Sequence, residues 1–405
     1  MAETYLDRGQ RLLAEVAPYV PGITLDDAAR KAGVRPSRIA KLSSNENPLG
    51  PSPRAVAAIR TFASHAHYYP SPDAGELRTA IGRYLGVAAE QVVVGGGSST
   101  LMHALVDAFT SPGGEVISLE PSFTVYSEIA VIHGRTPVTV PLREGDFLLD
   151  LDRLRAALTP RTQLVFLTRP NNPTSTLIPL DVFEAATELA AKVGALVVSD
   201  EAYIEFADVR RPSAVELIRG REPRRPNVML TRTFSKAFGL ANLRLGYAAG
   251  TLETARCLAL ANAKWATGQI AQAAGVAALG DRAHLQRTLA TVAKGRALLA
   301  DGFAGLGFPV APEPQGNYIM VDVSAHGWTA AAFAEAVFTC GHVVIRGDFS
   351  AKHVRISIGR PEENRRLLTA VAALVDAAGD RAAATATAAR DPAAKQTTGR
   401  RAPSR

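Results

Sequence analysis

The sequence predicts an α/β protein: a mostly parallel sheet flanked by helices, followed by a smaller α/β domain. Three observations carry that prediction. Between residues 91 and 250, short β-branched runs alternate with helical segments, as in strands joined by crossover helices. Those runs are almost continuously apolar, which is what strands covered on both faces require. After Leu260 the pattern changes to a long helical repeat and then a single alternating strand, marking a second unit.

In chain order, residues before about Lys41 carry one helix and an Ala17-Pro18-Tyr19 arm. Strands are predicted at 91–94, 115–119, 164–167, 195–199, 228–230 and 246–249. The run Gly95-Gly96-Gly97-Ser98-Ser99-Thr100 opens a helix whose Leu101, Leu105 and Phe109 share one face, and free N–H groups at a helix start bind anions. Ligands of such sheets collect beyond the carboxyl ends of the strands, where Gly97, Thr168, Asp200 and Thr233 would lie. Further on, Leu285, Leu289, Val292, Leu299 and Phe303 recur at helical spacing, giving a long amphipathic helix that ends near Gly302 to Gly307. Val354, Ile356 and Ile358 alternate with Arg355 and Ser357, so a strand here buries the first set and turns Arg355 to the opposite face.

Composition narrows the function classes. At 405 residues, with 47% hydrophobic and 20% charged, the chain is long enough for two or three domains around a large core. Its two cysteines, Cys257 and Cys340, form no CxxC pair, which points to a reducing compartment and hence the cytoplasm. The first residues show no basic stretch followed by an apolar one, and no apolar run is long enough to span a bilayer. The formal charge of +7 could suggest nucleic acid, yet much of it sits at one end. From Asp380 to Arg405 there are six basic residues (Arg381, Arg390, Lys395, Arg400, Arg401, Arg405) against Asp380 and Asp391, a balance of +4. That stretch is rich in Ala, Thr and Pro and reads as a disordered tail, while the body is nearly balanced, so neither nucleic acid nor membrane is expected as a partner. The eight histidines are scattered without ligand spacing, so no metal is expected, and a GxSxG hydrolase elbow is absent.

The chemistry-bearing residues follow the strands. Lys236 lies in Thr231-Arg232-Thr233-Phe234-Ser235-Lys236-Ala237-Phe238-Gly239, with Arg244 eight residues on. Upstream, Asn172 lies in Pro170-Asn171-Asn172-Pro173-Thr174, and Asp200 and Tyr203 in Ser199-Asp200-Glu201-Ala202-Tyr203. Asn, Asp, Tyr, Lys and Arg at successive strand ends form the set that holds pyridoxal 5'-phosphate by its ring oxygen, ring nitrogen, Schiff base and phosphate. In that set Asp200 keeps the ring nitrogen protonated. Tyr203 and Asn172 hydrogen-bond the phenolate oxygen, and Lys236 forms the Schiff base and then acts as proton carrier. Gly97, Ser98, Ser99, Thr233, Ser235 and Arg244 would surround the phosphate.

On these motifs, the chain resembles the fold-type I, pyridoxal-phosphate-dependent aminotransferases, and within them the class-II, histidinol-phosphate aminotransferase-like branch. Further matches are Leu42-Ser43-Ser44-Asn45-Glu46-Asn47-Pro48-Leu49-Gly50, Tyr69-Pro70-Ser71-Pro72-Asp73-Ala74, and Val354-Arg355-Ile356-Ser357-Ile358-Gly359 followed by Pro361-Glu362-Glu363-Asn364. The resemblance runs from about Val16 to about Ala378. It implies a seven-stranded, mostly parallel sheet. It also implies an N-terminal arm and part of the small domain at 1–45, a large cofactor domain at 46–262 and a small domain at 263–378, leaving the tail at 379–405. Phe123 matches the ring that stacks on the cofactor, and Tyr69 matches a residue that reaches across from a partner subunit, so a homodimer with a shared site is implied. Tyr19, Asn317, Arg346 and Arg355 match the substrate side, where two arginines suit a dianionic phosphate. The implied reaction transfers the amino group of L-histidinol phosphate to 2-oxoglutarate, a step of histidine biosynthesis. Ser99, Thr100, Ser175 and Asn242 depart from the branch, the stretch between Arg346 and Arg355 is short, and, more telling, Lys264-Trp265-Ala266-Thr267-Gly268 replaces a Pro-rich aromatic-Asn-Val stretch, which leaves aromatic or specialised amino donors open. The cofactor set alone also leaves open a lyase or decarboxylase, since it does not say which bond at the α-carbon breaks. A binding protein that kept the fold would carry an appended DNA-binding helix pair, for which neither end has room.

Overall fold

The computed structural model describes residues 4–7, 9, 14, 16, 22–210, 212–220 and 222–390. Its centre is a seven-stranded sheet of β2 (Val92–Gly95), β3 (Glu115–Glu120), β4 (Thr136–Pro141), β5 (Thr162–Thr168), β6 (Leu196–Asp200), β7 (Val228–Thr233) and β8 (Gly246–Ala249). The spatial order is β2-β8-β7-β6-β5-β3-β4. Within it, β8 runs antiparallel to both neighbours and the rest are parallel, so the carboxyl ends of six strands face one edge. Strand alternation splits the buried residues between two faces. Leu164, Phe166 and Val198 join the helices Ser98–Phe109, Val125–Ile132 and Leu252–Ala261 on one side, while Val165, Leu167 and Val197 join Leu180–Ala191 and Gln269–Gly280 on the other.

Strand β4 was not among the predicted strands. It pairs only with β3, carries Pro137 and Pro141, and keeps only Val140 buried. Proline lacks the ladder donor, which an edge strand tolerates and a central one does not.

The helix starts follow capping chemistry. Thr24 accepts from the Asp27 N–H at the start of Leu25–Ala32, and Asp281 accepts from His284 N–H at the start of the long Arg282–Gly305 helix. That helix leads to β9 (Tyr318–Asp322), which pairs antiparallel with β11 (His353–Ser357). Two-residue strands β1 (Ala40–Lys41) and β10 (Val343–Val344) pair in parallel and tie the segment before the large sheet to this C-terminal part. On β11, Val354 and Ile356 are fully buried, whereas Arg355 faces the other way. The last helix, Pro361–Arg390, runs past the expected start of the tail at 379. Its final turns are dominated by alanine, the residue that costs a helix least; the remaining tail, 391–405, lies outside the described residues. Among the described residues, no helix is long and apolar enough to cross a membrane.

Candidate active site

A cavity of about 270 Å³ opens at the carboxyl edge of the sheet. Ser98, Ser99, Phe123, Asn172, Asp200, Tyr203, Thr233, Ser235, Lys236, Arg244, Arg346 and Arg355 all line it. Residues separated by more than 250 positions in sequence thus meet because β5, β6 and β7 end side by side and β11 leans over them. A second cavity of about 390 Å³ adjoins it and shares Phe123, Asn172, Arg346 and Arg355.

Asp200 ends β6 and is 3% exposed. The Tyr126 hydroxyl donates to its Oδ2 at 2.6 Å, and Thr231 Oγ1 and the Ala202 N–H donate to Oδ1, each at 3.2 Å. Burial pushes its carboxyl above the usual carboxylate range, and those three donors only partly offset it. All are neutral, so the carboxylate has no cation of its own among them and a cation placed in the cavity would stabilise it. Tyr126 is held for this task by stacking on Phe166 at 4.7 Å and by an edge contact with Phe123 at 5.7 Å. Sequence reading missed it, although it follows Phe123 by three residues.

A helix start lines the same cavity. Gly97 has φ of 100° and precedes the helix Ser98–Phe109; a Cβ there would come within 2.8 Å of Arg244 Nη2. Gly246 is equally constrained, since a Cβ would sit 2.4 Å from the Ser98 nitrogen. The two glycines let β8 and the helix start close around a small concavity. Arg244, itself at φ 48°, reaches toward it, with Nη1 3.5 Å from Ser235 Oγ and donating to Ala241 O at 3.0 Å.

Lys236 Nζ donates to Ser44 O at 3.1 Å and lies 5.6 Å from the centre of the Tyr203 ring. Asn45 Nδ2 donates to the Tyr203 hydroxyl at 3.2 Å. Arg355 donates to Asn172 Oδ1 at 2.6 Å and to Ser43 O at 2.7 Å. Arg346 faces Arg355 across an isolated antiparallel bridge and pairs with Asp348. Ser43, Ser44 and Asn45 therefore touch Arg355, Lys236 and Tyr203 in succession.

Two further positions fall elsewhere. Asn317, expected on the substrate side, is fully buried behind the cleft, where its amide donates to the backbone carbonyls of Asn45 and Glu46. The reason is its place one residue before β9, under the segment that carries Asn45. Tyr69 is 87% exposed and rests near Trp265, with ring centres 5.8 Å apart, outside its own chain's cavity. Tyr19 lies outside the described residues.

Residues 37–371 match the family of class I and II aminotransferases. The chain belongs to that family. The chain is 41% identical to the histidinol-phosphate aminotransferase of Anaeromyxobacter sp. over 90% of its length and 98% of that protein's. It is 39% identical to an aromatic amino acid aminotransferase of Thermobifida fusca over 88% of its length and 94% of that one's. Among solved structures, the histidinol-phosphate aminotransferase of Sinorhizobium meliloti in complex with pyridoxal-5'-phosphate superposes with a TM-score of 0.78 at 27% identity. That match covers 88% of this chain and 96% of the other. This aminotransferase thus has the fold-type I architecture, and its cavity at the strand ends is the place where such a fold gathers ligands.

Proposed function

We propose that this aminotransferase holds pyridoxal 5'-phosphate at the strand ends and moves the amino group of L-histidinol phosphate to 2-oxoglutarate. The observation that carries the reading is a single cavity containing Lys236, Asp200 and Tyr203 together with two arginines, Arg346 and Arg355. The residues fit the cofactor: the buried Asp200 carboxylate answers a protonated ring nitrogen, and the Gly97 to Ser99 helix start with Arg244 and Ser235 answers a phosphate. Phe123 would cover one ring face, and Asn172 and Tyr203 would hydrogen-bond the ring oxygen. Bound there, the cofactor supplies an electron sink that makes the substrate's α-hydrogen acidic. Lys236 Nζ then carries that proton as base and acid. Arg346 and Arg355 supply paired charge for a dianionic phosphate ester, and the adjoining cavity leaves room for the rest of the donor.

In this reading residues 46–262 carry the cofactor, while 1–45 and 263–378 bring the arginines over it. Exposure of Tyr69 supports a homodimer in which it faces a partner's site, and the exposed, unpaired thiols of Cys257 and Cys340 suit the cytoplasm. A second reading, an aromatic amino acid aminotransferase, is favoured by the Thermobifida relative and by the Lys264 to Gly268 departure, in which Trp265 is exposed. The deciding experiment mixes the cofactor-loaded enzyme with histidinol phosphate and, separately, with phenylalanine and tyrosine in a stopped-flow spectrometer and follows the visible band. Rapid bleaching by histidinol phosphate alone supports the first reading; faster bleaching by an aromatic amino acid replaces it with the second.

A further inference from the structure

We infer that Asn45 is a positioning residue that aims the Tyr203 hydroxyl proton into the cofactor site, and that Ser357 locks it in that orientation. The inference rests on the cofactor reading above. Asn45 is 1% exposed, sits at φ 52° and belongs to the segment that lies between the two parts of the chain. Its backbone N–H donates to Ser357 Oγ at 2.8 Å. That hydroxyl therefore gives its own proton elsewhere, and the Asn45 Oδ1 receives it at 2.9 Å. With the amide oxygen so engaged, the orientation of the amide is decided: Nδ2 faces Tyr203 and donates to its oxygen at 3.2 Å.

The consequence is directional. A tyrosine oxygen that accepts from the protein side has its proton turned toward the cavity, and accepting one bond strengthens the one it donates. A stronger donor at the cofactor's ring oxygen lowers the basicity of the chromophore next to it, so the visible band of the loaded enzyme titrates at lower pH. Neither Asn45 nor Ser357 needs to touch substrate for this. Ser357 shares a strand face with Arg355, two residues away, so the strand that carries an arginine of the anion site also carries the lock on Tyr203.

The test is a spectrophotometric pH titration of the cofactor-loaded wild type, Asn45→Gly, Tyr203→Phe and the double variant. Glycine suits the left-handed backbone at this position, so the substitution removes the amide without adding strain or charge. We expect Asn45→Gly to raise the midpoint by roughly 0.5 to 1 pH unit, the scale of one hydrogen bond. Tyr203→Phe should raise it at least as far, and the double variant no further than Tyr203→Phe alone. A midpoint unmoved by Asn45→Gly, or a shift that adds in full to that of Tyr203→Phe, overturns the inference. If the glycine variant folds poorly, Ser357→Ala gives the same readout without touching the left-handed residue: a rise supports the lock, and an unmoved midpoint refutes it. A wild-type enzyme that takes up pyridoxal phosphate without any titrating visible band would instead sink the cofactor reading, and this inference with it.

Discussion

Replacing Arg346 by Gln separates a phosphate-bearing donor from an aromatic one. Its backbone bonds to Arg355, at 3.0 and 2.8 Å, do not involve the side chain and survive the change. The side chain is 19% exposed and pairs with Asp348, which is 43% exposed, and a pair so placed contributes at most about 1 kcal/mol to folding. Toward a phosphate dianion the same guanidinium would make a charge-assisted bond of about 1.5–3 kcal/mol. At about 1.36 kcal/mol per decade, kcat/KM for histidinol phosphate should fall roughly 10- to 150-fold. Phenylalanine, whose single carboxylate is served by Arg355, should lose no more than about 3-fold. Single-turnover bleaching of wild type and variant with both donors gives the ratio directly, and thermal melts check the fold. An equal loss for both donors would remove Arg346 from phosphate recognition. A large fall in melting temperature would assign it to scaffolding instead.

Three other substitutions probe the supports of the site. Because burial raises the Asp200 carboxyl, the native apoenzyme holds that proton more tightly than the unfolded chain. Asp200 therefore takes stability away as pH rises from the unfolded value near 3.9 through the folded one. Asp200→Asn should make the apoenzyme more stable than wild type at pH 7, with the gap closing toward pH 4 in urea titrations; a gap independent of pH contradicts this. Arg232→Met leaves the Glu201 and Glu205 carboxylates, both buried, without the guanidinium they share. It should cost about 3–5 kcal/mol in urea unfolding, and a cost below about 1 kcal/mol would mean the network relaxes. Gly246→Ala drives a methyl against the Ser98 nitrogen and the Gly97 carbonyl carbon, at 2.4 and 2.6 Å. Overpacking of this kind costs about 1–3 kcal/mol and should weaken pyridoxal phosphate uptake at least about 10-fold; unchanged uptake would relocate the anion seat.

Six of the seven strands were legible because a strand buried on both faces, whether parallel or, like β8, antiparallel to its neighbours, reads as an unbroken apolar run. Strand β4 was hidden by its edge position, where Thr136, Pro137 and Thr139 are exposed and Val138 is half-buried. The polar residues at the ends of β5, β6 and β7 were legible for the opposite reason, since chemistry-bearing side chains just after apolar strands have few structural uses there. Asn45, Tyr126 and Ser357 were not, because their contacts with Tyr203 and Asp200 span 158 and 74 positions and that of Ser357 with Asn45 spans 312. No local pattern encodes such a pairing; it exists only once the strand order is known. Asn317 shows the converse: its motif suited the substrate side, while in the fold it is buried and its amide donates to the Asn45 and Glu46 carbonyls.

The neighbouring acids Asp200 and Glu201 show how strand geometry assigns chemistry that composition cannot. Both are buried, at 3% and 0% exposure, and composition alone presents two equivalent carboxylates. Successive residues at a strand end point to opposite faces. Glu201 accordingly meets two guanidinium groups: Arg232 Nε and Nη2 donate to Oε2 at 3.0 and 2.9 Å and Arg169 Nη1 lies 3.5 Å from Oε1, while Ser199, Ser213 and the Ala214 N–H donate as well. Asp200 points into the cavity and receives only neutral donors from Tyr126, Thr231 and the Ala202 N–H. Since an isolated buried carboxylate is far more costly than a paired one, the imbalance marks Asp200 as the acid that still needs a cation. Pyridoxal 5'-phosphate would supply it through its protonated ring nitrogen, and Phe123, Lys236, Ser98 and Arg244, which line the same cavity, are the residues that would hold the rest of the group.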